Sequence, residues 1–153
     1  MPDDLYDRDF FAWSMHQADL LHRLSRGERT NEALDAANLA EEIESLGRNQ
    51  KRELSSRLRV LLTHMLKSQF QPERRSESWT STIGEQRHEI EALLDYSPSL
   101  RPTVADVLPT AYRRALRTAA DETKLPPVAF PEVCPWTPDQ VLDLDYFPDT
   151  PSV

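Results

Sequence analysis

An all-α fold is what this sequence predicts: an up-and-down helical bundle of about four main helices, with a proline-rich C-terminal segment packed on it. Three observations carry that prediction. Leu and Ala together number 33, against 10 for Val and Ile, the reverse of what sheets favour. No proline interrupts the chain between Pro2 and Pro72, and apolar residues in that span recur at the helical period. There are only three glycines, so hairpin turns and phosphate-cradling loops have little to be built from.

Each helix has its own signals. The first is expected from about Asp7 to Arg26. Asp7 would cap it, Tyr6 would staple onto Phe11, and Gly27 would stop it. Phe10, Trp13, Gln17, Leu21 and Leu24 share one face at 100° per residue. The second starts between Asn31 and Asp35. Its stripe, Ala36, Leu39, Ala40, Ile43 and Leu46, resumes in phase at Leu54, Leu58, Leu61 and Met65. The spacing therefore predicts one long helix to about Gln69, with Gly47, Gln50 and Lys51 as a polar gap where it can kink. From Leu58 to Leu66 apolar residues surround most of the helix, which marks its most buried part.

After the turn Gln71-Pro72-Glu73-Arg74-Arg75, a third helix runs from about Ser76 to Asp95, capped by Ser76 or Ser78. Its inner face is Trp79, Ile83, Gln86, Arg87, Ile90 and Leu94. The fourth runs from Leu100 or Pro102 to Glu122. Its stripe is Val104, Leu108, Ala111, Tyr112, Ala115 and Ala119, and Pro109 sits on the solvent side, where it bends the helix. Seven of the 12 prolines fall at or after Pro126. That segment still keeps Phe130, Trp136, Tyr146 and Phe147, so it is expected to lie on the bundle. Thr137-Pro138-Asp139-Gln140 has the cap, proline and box residue of a short helix ending near Asp143. Residues 1–123 thus form the bundle and 124–153 an extension packed on it, one domain in all.

Charge is segregated. Residues 1–47 hold 11 acids and 4 bases, residues 48–75 hold 2 acids and 8 bases, and residues 76–153 hold 13 acids and 6 bases. The basic middle, inside a chain of net charge −8, is expected to pair with acidic neighbours in the fold or across a dimer. A nucleic-acid surface is the weaker alternative, because the acidic flanks oppose approach to phosphate. No apolar run reaches the ~20 residues of a membrane span. The acidic opening Met1-Pro2-Asp3-Asp4 lacks the pattern of a secretory leader, and Cys134 is alone. A cytoplasmic protein is expected.

The search for chemistry returns mostly negatives. Glu85 to His88 and Asp19 to His22 carry the acid-x-x-His string of di-iron bundles. Both point away from the apolar faces of their helices, so they are expected to be solvated. His64 lies in an apolar stretch but has no companion ligands; zinc wants three or four. Cys134 has no nearby His and is expected to be inert. No catalytic residue, metal or cofactor is assigned. One polar cluster stands out as a structural network or an anion pocket: Arg74, Arg75, Trp79, Gln86 and Arg87, with His64 beside it. Arg87 on a core face needs a carboxylate or several carbonyls.

Several strings resemble a known family: Asp9-Phe10-Phe11-Ala12-Trp13, Asn38-Leu39-Ala40-Glu41-Glu42-Ile43-Glu44-Ser45-Leu46-Gly47 and Gln71-Pro72-Glu73-Arg74-Arg75-Ser76. Glu85-Gln86-Arg87, Pro98-Ser99-Leu100, Phe130-Pro131 and Cys134-Pro135 add to them. From Leu5 to Pro148 the chain is similar to the bacterial domain of unknown function family 29. The resemblance implies a small, mainly helical protein and brings no activity, ligand or site residue with it. The leading expectation is a binding or assembly module that joins a protein partner or itself. The rival is an enzyme-like bundle that binds a ligand or metal through His64 and Arg87. The bases of residues 48–75 acting on nucleic acid come third.

Overall fold

A computed structural model describes residues 5–148; the acidic opening, Met1 to Asp4, lies outside them. Of the described residues 78% are helical, counting short 3-10 turns, and none is strand. The helices are α1 (Leu5–Arg8), α2 (Phe10–Ser25), α3 (Ala36–Phe70), α4 (Glu77–Tyr96), α5 (Arg101–Thr123) and α6 (Pro138–Leu142). Four of them, α2 to α5, are the main ones. The 3-10 turns at Pro72–Arg74, Pro98–Leu100 and Pro127–Ala129 each open on a proline, whose fixed φ suits a first helical position. No described helix is long and apolar enough to cross a membrane. The chain resolves into two compact units, Met1–Arg48 and Asn49–Val153.

In the first unit the expected start at Asp7 is corrected. The backbone leaves the helical region at Asp9, which separates α1 from α2, and the Asp9 side chain accepts the Ala12 N–H as the true cap. The break lets Tyr6 meet Phe10 and Trp13 edge-on, at 5.8 and 4.8 Å between ring centroids. Its hydroxyl donates to Glu42. The staple partner expected for it, Phe11, is instead 74% exposed. Leu21 and Leu24, expected on the inner face, are exposed too, and Leu20 is buried beside Trp13 and Gln17. Beside this aromatic packing, polar ties join α2 to the segment that leads into α3. The Trp13 indole N–H donates to Asp35 at 2.9 Å, the Asp35 N–H donates to Gln17 at 2.8 Å, and His16 Nε2 sits 2.5 Å from Glu32. Gly27 ends the turn after α2 with φ +77, a conformation that glycine alone adopts freely.

α3 crosses Gly47 without a break and runs 35 residues, about 52 Å at 1.5 Å per residue. Its first half corrects a second expectation. The stripe has the right period, yet Ile43 and Leu46 are 67% and 68% exposed. From Ala40 to Glu53 no residue is buried.

The second unit holds the core. Gln86 beside Arg57 and Ser97 beside Gln50 set α4 antiparallel to α3. Lys67 paired with Glu122 brings α5 back parallel to α3, so successive helices alternate up and down. Leu54, Leu58, Leu61, Leu62, Met65 and Leu66 are fully buried against Ile83, Ile90 and Leu94 of α4 and Val104, Leu108 and Tyr112 of α5. Phe130, Trp136 and Val141 from the C-terminal segment belong to the same core, and Phe130 meets Phe70 edge-on at 5.5 Å. Thr137 and Gln140 form the expected capping box of α6. Pro109 is exposed inside α5, where its missing N–H leaves the Ala105 carbonyl without a helical donor.

Candidate functional site

The residues singled out in the sequence occupy separate places and do different work. Arg87 is 1% exposed. Its Nε–H donates to the Val141 carbonyl at 2.8 Å, and its terminal nitrogens donate to Tyr146 at 2.6 Å and Gln140 at 3.2 Å. Its oxygen partners are backbone carbonyls of the C-terminal segment, where a carboxylate was the first expectation. Two of them, at Gln140 and Val141, belong to the last turn of α6, which has no intrahelical donors to offer them. A cation there also suits the negative end of the helix. The Phe147 ring covers the guanidinium at 5.6 Å. Burial pushes the Arg87 pKa down, and Asp143 and Tyr146 oppose that shift.

Gln86 faces another way. It accepts from Arg57 at 3.3 Å, and Arg57 also pairs with Glu53 at 3.0 Å and Glu89 at 3.7 Å. His64 is half-buried, with Nδ1 2.9 Å from the Val60 carbonyl one turn back. Arg75 donates to the Ser68 carbonyl at 2.6 Å, which ties the turn after α3 to its last residues. Arg74 is exposed. Trp79, expected to be largely buried, is half-buried beneath the Lys67 ammonium at 4.5 Å. The cluster therefore divides, among the described residues, into a clasp, a surface ion network and a turn.

Glu85, His88, Asp19 and His22 are exposed. Among the described residues no three His, Cys, Asp or Glu side chains are grouped to hold a metal ion. Much of the basic run is matched by acids of its own chain. Arg48 lies 2.7 Å from Glu41 and 3.7 Å from Glu44, and Lys67 lies 2.8 Å from Glu122.

Two clefts are large enough to note. One of about 660 Å³ in the first unit is lined by Trp13, His16, Gln17, Glu32 and the start of α3. Its polar groups already serve one another. Asn38 and then Trp13 hold the Asp35 carboxyl below its ordinary range by hydrogen bonding. The other, of about 530 Å³, lies between Pro109 on α5 and residues 132–138. It contains Cys134, whose thiol donates to the Trp136 carbonyl and is pushed up by burial. A raised thiol is a poor nucleophile.

What sequence reasoning missed is a surface. Seven large hydrophobics of the first unit are exposed: Phe10, Phe11, Met15, Leu21, Leu24, Ile43 and Leu46. They fall within 44 described residues, whereas the 100 described residues of the second unit expose only five. α2 carries apolar residues on nearly every side, which is the pattern of a helix meant to be surrounded. Nothing in a single sequence separates such a face from a core face, since the period is the same.

A family model described as Domain of unknown function DUF29 matches residues 5–147. No curated protein and no solved structure matches the chain.

Proposed function

We propose, for a chain that belongs to the DUF29 family, an assembly role: a helical module that binds a protein through its first unit and carries no catalytic site. One observation carries this reading, the concentration of exposed apolar side chains on α2 and the first half of α3. Isolated apolar residues on a surface are ordinary, but seven large ones on so short a unit are a concentration that a binding surface would account for. The unit buries only Trp13, Gln17 and Leu20 among its described residues, which is too little to stabilise two helices in water. The pairing of Arg48, Arg57 and Lys67 with acids argues against use of the basic run on nucleic acid.

The test is a photo-crosslinking amino acid placed at Ile43 of the full-length chain in living cells, with the exposed Arg114 as control position. Protein adducts at position 43 and not at 114 are expected. Equal labelling at both, or none at 43, overturns the assembly reading.

A further inference from the structure

We infer that the cleft of the second unit, between α5 and residues 132–138, binds a free apolar dipeptide or tripeptide. This is a different surface from the exposed face of the first unit, and binding there does not depend on assembly.

The form of the cleft is the first argument. It measures about 530 Å³, inside the ~300–1,000 Å³ range of small-molecule sites. Its floor is made by the buried side chains Leu108, Tyr112 and Trp136. The far wall is fastened to α5, because the Tyr112 hydroxyl donates to the Pro131 carbonyl. Within that wall the Cys134 thiol donates to the Trp136 carbonyl. A floor and wall set in advance spare a ligand the cost of ordering them.

Charge is the second argument, and it selects the occupant. Arg113 and Glu132 both line this cleft and both are exposed, yet neither forms an ion pair among the described residues. Arg113 donates to the Thr110 hydroxyl at 3.2 Å, which uses one donor of its guanidinium fork. An apolar anion such as a fatty acid would satisfy Arg113 but meet Glu132. An apolar amine would satisfy Glu132 but meet Arg113. A zwitterion answers both: its carboxylate takes the guanidinium, which can hold two oxygens at once, and its ammonium takes Glu132.

A backbone acceptor is the third argument, and it distinguishes a peptide from a single amino acid. Ala105, Pro109 and Arg113 follow one another at four-residue steps along the edge of α5 that lines the cleft. Pro109 has no N–H to give the Ala105 carbonyl, so an acceptor without its helical donor lies on that edge. A peptide N–H is the donor that matches it. Leu108 and Tyr112 on one side, and Val133, 78% exposed, on the other, offer apolar surface to the side chains.

The experiment is isothermal titration of the full-length protein with dileucine, leucyl-phenylalanine and trileucine. At least one should bind saturably with a Kd below about 1 mM. Acetylating its amine and amidating its carboxylate should each weaken it at least about tenfold, and free leucine should bind more weakly by a similar factor. Glu132→Gln should weaken the free peptide and erase the effect of acetylation alone. Arg113→Met should weaken it and erase the effect of amidation alone. Both side chains are exposed, so both variants should melt with the wild type. Pro109→Ala returns a donor to the Ala105 carbonyl and should weaken the peptide while the protein stays folded. Absence of saturable binding by all three peptides overturns the inference. So do blocked peptides that bind as well as free ones, or free leucine that binds as tightly as the peptides. Variants at positions 113 and 132 that keep the wild-type response to both blocking groups place the ligand elsewhere and overturn it too.

Discussion

Arg87 shows how much one buried cation can organise. Its guanidinium gathers three carbonyls that span residues 140–146, so it holds the C-terminal segment by backbone alone. Truncation to Ala leaves those acceptors unpaired and a cavity beneath Phe147. We expect Arg87→Ala to cost about 3–5 kcal/mol in urea unfolding and to open residues 138–147 to proteolysis. Arg87→Lys should recover only part, because an ammonium cannot reproduce the fork. A loss below ~1 kcal/mol, the worth of one ordinary hydrogen bond, would show that the clasp is dispensable. Asp35 gives a pH prediction. Its folded pKa is lowered, first by the Asn38 amide and then by Trp13. Its contribution is therefore complete above the unfolded value of ~3.9 and drains away as pH falls through the lower folded value. Trp13 emission should shift with a midpoint below that unfolded value, and Asp35→Ala should abolish the shift. A midpoint at or above ~4 contradicts the assignment.

The helices themselves were legible because periodicity, caps and prolines are local. The phase across Gly47, Ser76 as the cap of α4 and the capping box of α6 all follow from short-range chemistry. The site was not legible, for two physical reasons. Periodicity reports that Ala36 to Leu46 share an apolar face but not whether anything covers it. The phase of Arg87 placed it inside, but its partners are carbonyls, which leave no signature in side-chain identity. Asp7 was the expected cap, but the backbone turns out of the helix at Asp9, whose side chain accepts the Ala12 N–H. At this scale Pro109 makes a clean test. It is exposed and denies α5 one hydrogen bond, so Pro109→Ala should raise stability by about 2 kcal/mol, the helical penalty less the entropy that Pro removes from the unfolded chain. Thermal melts that show no gain would mean that the bend itself is needed for packing onto residues 132–138.

Across the whole molecule, stability is unevenly shared. The second unit owns the continuous core, whereas the first keeps three buried side chains among its described residues. A fragment of residues 49–153 should therefore melt cooperatively within a few degrees of the full chain, and a fragment of residues 1–48 should give the circular dichroism of a largely unfolded peptide. Loss of cooperative melting in the larger fragment would place essential stability in the first unit. The C-terminal clasp has a further consequence for synthesis. Phe130, Trp136 and Val141 complete the core, and Arg87 finds its last carbonyl at Tyr146. While the ribosome still shelters those residues, α3, α4 and α5 can form, but a buried-type arginine and the Tyr112 face stay open to water. The nascent chain waits half-finished, apolar side outward, in the state that holdase chaperones recognise, and it closes only when α6 and the residues up to Tyr146 emerge.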